Sequence, residues 1–100
     1  MKTIKKNIGS GLSAQFYLGD PRKHLSVSGT FTLIRGALRA SGMFQVDASG
    51  AYSWSTAGSV DCGITMVGNA TRNKILLKII ADSSDTNHTV FKCNIQQETI

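Results

Sequence analysis

The chain has 100 residues, 41% of them hydrophobic and 17% charged, with a formal net charge of +5 at pH 7. That length supports one domain with a single core, and no apolar run reaches the roughly 18 residues of a membrane-spanning helix. The charge permits contact with nucleic acid or an acidic surface; the low charge content, beside many Ser, Thr and Gly residues, points to a surface partly covered in the working state.

Residues 1–10 read as a basic N-terminal arm carrying Lys2, Lys5 and Lys6. The start resembles that of a signal peptide, but "IGSGLSAQFYLG" is broken by glycines and polar residues and is no apolar core for one. The expectation is a chain that is cytoplasmic when made or incorporated in a virion or assembly, or else a mature form with an added Met. Residues 11–100 read as one all-β domain.

Leu12, Ala14, Phe16 and Leu18 alternate between Gly11 and Gly19, which predicts a first short strand. "GDPRK" (19–23) then makes a turn that places Arg22 and Lys23 beside His24. In 25–35 the apolar residues Leu25, Val27, Phe31 and Leu33 are odd, and in 38–46 Leu38, Ala40, Phe44 and Val46 are even. The parity flips across Gly36, as a hairpin requires and a helix does not. Pairing residues whose numbers sum to 71 sets Leu33 against Leu38, Phe31 against Ala40, Gly29 against Gly42, Val27 against Phe44 and Leu25 against Val46. The turn is then Arg35-Gly36, or a four-residue loop over 34–37 with the same pairing, and Arg35 lies near solvent. Arg39 points out from the second strand.

"DASG" (47–50) predicts a three-residue turn, Ala48-Ser49-Gly50, with Gly in the left-handed position. It pairs Phe44 with Trp54 and Val46 with Tyr52, both aromatics inward. A four-residue turn would move Trp54 to the other face, and sugar binding through Trp54 and Tyr52 would need it. "TAG" (56–58) is read as a further turn that sets Val60 opposite Trp54 and Cys62 opposite Tyr52. The next strand buries Val60, Cys62, Ile64 and Met66. The last two bury Ile75, Leu77 and Ile79, then Phe91, Cys93 and Ile95. The fold class is therefore all-β: an antiparallel meander of about seven short strands closing a small sandwich or barrel. Cys62 and Cys93 fall on inward positions, compatible with a disulfide across the core or with two buried thiols.

The outward positions of the middle strands form a hydroxyl-rich face with few charges, including Arg39 and Met43. Leu76, Ile80 and Val90 turn outward beside Lys78 and Lys92. Outward apolar residues on strands with few charged or proline gatekeepers suggest a surface that associates. Arg39, Met43, Leu76, Ile80 and Val90 are thus the candidate interface.

Catalytic signatures are missing: no G-x-S-x-G elbow, C-x-x-C, H-E-x-x-H, P-loop or G-x-G-x-x-G is present. Asp20, Asp47, Asp82 and Asp85 have turn roles; His24 and His88, the only imidazoles, each border a loop and a strand, and His88 with Cys93 five residues on is a poor metal-ligand spacing. No catalytic residue, metal or cofactor is expected, and the chain is read as no enzyme. Nucleic acid could be held only through the backbone, by Lys2, Lys5, Lys6, Arg22 and Lys23, because the register turns every aromatic but Tyr17 inward. The resulting expectation is a non-enzymatic, self-assembling structural subunit of the virion or appendage kind. A protein-binding or inhibitory module, or nucleic-acid contact through the arm, is the alternative. The expected partners are accordingly further copies of itself or another protein.

Overall fold

The computed structural model describes residues 2–57 and 62–100. Eight strands carry the described chain: β1 (Lys2–Ile8), β2 (Ser13–Gly19), β3 (His24–Arg35), β4 (Leu38–Asp47), β5 (Tyr52–Thr56), β6 (Ile64–Ala70), β7 (Ile75–Ala81) and β8 (Thr89–Thr99). They form an antiparallel five-stranded sheet, β1-β8-β3-β4-β5, and an antiparallel three-stranded sheet, β2-β7-β6. The domain is a small all-β sandwich.

Period-two alternation builds the core. Val27, Phe31 and Leu33 of β3, Phe44 and Val46 of β4, and Phe91, Cys93 and Ile95 of β8 face Leu18, Ile64, Met66, Ile75, Leu77 and Ile79 of the smaller sheet, all nearly inaccessible. Phe91 joins the layers, its ring centroid 5.5 Å from that of Phe16 on β2 and 6.0 Å from that of Phe31. Burying each such side chain contributes roughly 1.5–3 kcal/mol.

The β3–β4 hairpin forms with the expected faces but a different register. The pairs sum to 73: Arg35 with Leu38, Leu33 with Ala40, Phe31 with Gly42, Gly29 with Phe44 and Val27 with Val46. The loop is Gly36-Ala37, with Gly36 first and at φ 58°, the arrangement of a type II′ turn. Moving the turn by one residue keeps parity and slides the pairing by two. Each glycine consequently faces a phenylalanine instead of the other glycine. A Cβ on Gly29 would stand 2.7 Å from the Phe44 ring, and one on Gly42 2.7 Å from the Phe31 ring.

The "DASG" turn is as expected, with Phe44 opposite Trp54 and Val46 opposite Tyr52. The four-residue alternative is excluded. Asp47 Oδ1 accepts from the Ser49 and Ala51 amides at 2.8 and 3.1 Å, which closes the loop. Tyr52 lies at the open side of the sandwich and stays 46% exposed.

The meander does not continue past β5. Cys62 is not opposite Tyr52: β5 is an edge strand, and the chain passes to the second sheet, where β6 pairs with β7. Val60 and Asp61 lie outside the described residues. Three inward assignments also fail locally. Leu38, next to the Gly36-Ala37 turn, is 46% exposed. A register irregularity between His24 and Ser26 turns Leu25 out, 50% exposed. Leu12 precedes β2 and is 62% exposed.

The segment read as a basic arm contains β1, which pairs with β8 from Lys2–Ile95 to Ile8–Thr89. Only Ile4 and Ile8 anchor it, and Ile8 is fully buried.

Candidate functional site

The five-stranded sheet has its inner face on the core and its outer face open. Register fixes the outer rows. One runs Thr3, Asn94, Thr30, Met43, Ser55 across β1, β8, β3, β4 and β5; its neighbour runs Gln96, Ser28, Gln45, Ser53. These rows contain hydroxyls, amides and one thioether, and no charge. A shallow groove lies along them, lined by Ser28, Thr30, Met43, Gln45, Ser53 and Gln96 among others. It continues through Thr32, Ser41 and Lys92 to Ile34 and Arg39. Met43 is 61% exposed at its centre. Thr3 Oγ1 donates to Asn94 Oδ1 at 2.8 Å, fixing one end of the central row.

The charges on this face sit at its margins. Lys5 stands opposite Lys92 toward the β1 edge. The Arg39 guanidinium folds back on the hairpin turn, donating to the Gly36 and Leu38 carbonyls at 3.0 and 3.1 Å.

The five interface candidates divide between two faces. Arg39, Met43 and Val90 lie on the outer face of the five-stranded sheet, where Val90 is half-buried between Asn7 and Ile34. Leu76 and Ile80 belong to β7 and face out from the smaller sheet, opposite Tyr17 and Ser13 of β2. The basic candidates are divided too. Alternation on β1 puts Lys5 on the outer face and Lys2 and Lys6 on the same side as Ile4 and Ile8. Arg22 clasps Asp20 within one turn, Nη2 to Oδ2 at 2.8 Å and Nε to Oδ1 at 3.1 Å. That clasp lowers the Asp20 carboxyl to about 2. Lys23 lies beside it in the same turn.

Cys62 and Cys93 are buried thiols. Burial pushes Cys93 up to about 11, which suppresses the thiolate. His24 Nδ1 accepts from the Asp20 amide at 3.1 Å. Among the described residues no three His, Cys, Asp or Glu side chains gather as metal ligands.

Arg35 is the functional-looking residue that sequence reasoning misplaced. Its side chain is 1% exposed, not near solvent. Nη1 donates to Asp82 Oδ1 at 2.8 Å and to the Cys62 carbonyl at 3.2 Å; Nη2 donates to the Asp82 carbonyl at 2.8 Å; Nε donates to Asp85 Oδ1 at 3.0 Å. The odd parity of 25–35 already placed Arg35 inward, and two aspartates in one loop were the partners to look for. Asn94 and Gln96 were legible as well, from the alternation of 89–99.

No protein-family model matches the chain, and no curated protein matches it. Among solved structures it is similar to the tailspike protein of Acinetobacter phage vB_ApiP_P1, with a TM-score of 0.47 and 10% sequence identity. The match covers 98% of this chain and 22% of that one, so the chain spans about a fifth of its length.

Proposed function

We propose that this is a non-enzymatic structural β-domain that associates with further copies of itself through the outer face of its five-stranded sheet, as a subunit of a larger assembly of the virion or appendage kind. The observation that carries this reading is the pair of uncharged rows around Met43, with Lys92 and Arg39 only farther along the groove. Hydroxyls and amides there can exchange hydrogen bonds with a like surface without burying a charge, and Met43 supplies an adaptable apolar contact. An exposed face so poor in charge is what a covered surface looks like.

The non-enzymatic part rests on how the acids and thiols among the described residues are used. Asp20 is held by Arg22, Asp47 closes a turn, Asp82 and Asp85 hold Arg35, and Glu98 accepts from Ser26 Oγ at 3.0 Å. Each has a structural duty, and the Cys93 thiol is buried and protonated.

Light scattering over a wide concentration range is the test. The expected result is a mass that rises with concentration above 10.7 kDa. A monomer at every concentration would sink the reading.

A further inference from the structure

Resting on that self-association, we infer that the edge strand β5 pairs antiparallel with β5 of a second copy, joining two five-stranded sheets across a two-fold axis at Trp54.

The backbone states which groups are open. The Asp47 amide donates to the Ala51 carbonyl at 2.9 Å, and the Ala57 amide donates to the Ser41 carbonyl at 2.8 Å. Bonds to β4 therefore fall on the odd residues of this segment, including Ser53 and Ser55. In an antiparallel ladder the alternate residues direct N–H and C=O the other way. Tyr52, Trp54 and Thr56 thus present donors and acceptors to the edge. Among the described residues no backbone group bonds to them there.

Edge chemistry selects the partner. The opposite edge, β1, carries Lys2, Lys5 and Lys6, the charges that discourage strand addition; two copies of it would set lysine against lysine. β5 reads Tyr-Ser-Trp-Ser-Thr, with no charge and no proline. β2 is broken by a register irregularity between Tyr17 and Gly19. β6 is uncharged, but only β5 borders the groove, so only its pairing carries the hydroxyl face across the junction. A homotypic contact also closes, giving a dimer and no open chain.

The register follows from the same groups. Centring on Trp54 pairs Tyr52 with the second copy's Thr56 through hydrogen bonds and uses the full strand. Ser53 then meets Ser55 of the second copy in a non-hydrogen-bonded pair on the outer face, where the Cα atoms approach to about 4.5 Å, within disulfide range.

The experiment uses the full chain. Ser53→Cys and Ser55→Cys are oxidised separately and as an equimolar mixture, with the unsubstituted chain as control. The mixture should give several-fold more covalent dimer than either variant alone. Thr56→Pro removes an edge N–H without touching the β4 ladder, and it should weaken dimerisation about tenfold. Ser53→Lys places a charge on the same edge and decides the matter if circular dichroism shows Thr56→Pro misfolded. If the native chain associates, yet neither edge variant weakens it and the mixture does not cross-link, the β5 contact is overturned while self-association stands. A native chain that never associates overturns both.

Discussion

Arg35, the last residue of β3, reaches Asp82 at two points: the carboxylate and the backbone carbonyl, each at 2.8 Å. One guanidinium thereby ties the end of the larger sheet to the loop after β7, while Nη1 and Nε extend the tie to Cys62 and Asp85. The fork geometry of Arg suits several acceptors at once. The aspartate side chains remain 50% and 40% exposed, so water relieves much of the charge burial on their side. The guanidinium itself depends on these partners.

Arg35→Ala should therefore lower stability by about 3 kcal/mol, through lost charged hydrogen bonds and lost packing. Arg35→Lys should recover only part, because an ammonium cannot span the same acceptors. Urea unfolding midpoints check both. A loss under about 1 kcal/mol for the alanine variant would mean that the tie is ornamental.

Acid should loosen the fold. Hydrogen bonding from Arg22 lowers Asp20 to about 2. Hydrogen bonds from the Ser84 hydroxyl and amide, and from the Arg35 guanidinium, lower Asp82, and the Ser49 hydroxyl lowers Asp47. Each folded pKa lies below its unfolded value, so between them the unfolded chain binds more protons. The stabilisation is complete above about pH 5 and is lost as pH falls through about 4 toward 2. Thermal midpoints across that window should fall, and Asp20→Asn should show a shallower fall from a lower plateau. An unchanged slope in the variant would remove Asp20 from the account.

Gly29→Ala and Gly42→Ala should each destabilise by about 1–3 kcal/mol. Gly42 is the more sensitive position. An added Cβ would meet a ring and a backbone carbonyl at both sites, Asn94 O at Gly29 and Ser55 O at Gly42, but the carbonyl stands closer at Gly42, and backbone yields less readily than a ring. Calorimetry gives the ranking; equal tolerance at both sites would contradict the close approach of β5 to β4.

Met43→Lys separates folding from association. Met43 faces solvent, so the unfolding midpoint should move by less than about 0.5 kcal/mol, while concentration-dependent association should weaken at least about tenfold, since each copy would place a charge in the contact. Arg39→Ala, at the margin, should have a smaller effect. Undiminished association of Met43→Lys would move the contact away from this face.

Local alternation made the hairpins legible: the parity flip at Gly36 and the glycine of "DASG" locate both turns of β3–β4–β5. The turn type at Gly36 was the weak link, since Arg35-Gly36 and Gly36-Ala37 give the same faces, and only packing of each glycine under a phenylalanine separates them. β1 was hidden because edge strands carry the lysines that make a segment look like a solvated arm. The second sheet was hidden because nothing local tells β6 to pair with β7 alone. The groove could be read in part from Ser28, Thr30 and Met43. The alternation of 89–99 turns Asn94 and Gln96 outward, but they join the groove only through the pairing of β8 with β3, which no short window contains.

The insertion of β8 between β1 and β3 sets the order in which the molecule can complete itself. As the chain emerges in synthesis, β3, β4 and β5 can zip locally, but β3 keeps a bare flank until residues 89–99 arrive. β1, the earliest segment, waits for the same strand. Such non-local pairing is slow. During that interval Phe31 and Leu33 stand beside an open ladder, a template for strands of neighbouring nascent chains. The late strand is therefore the one that ends this vulnerability, and a strong promoter or a slow ribosome would be felt there first.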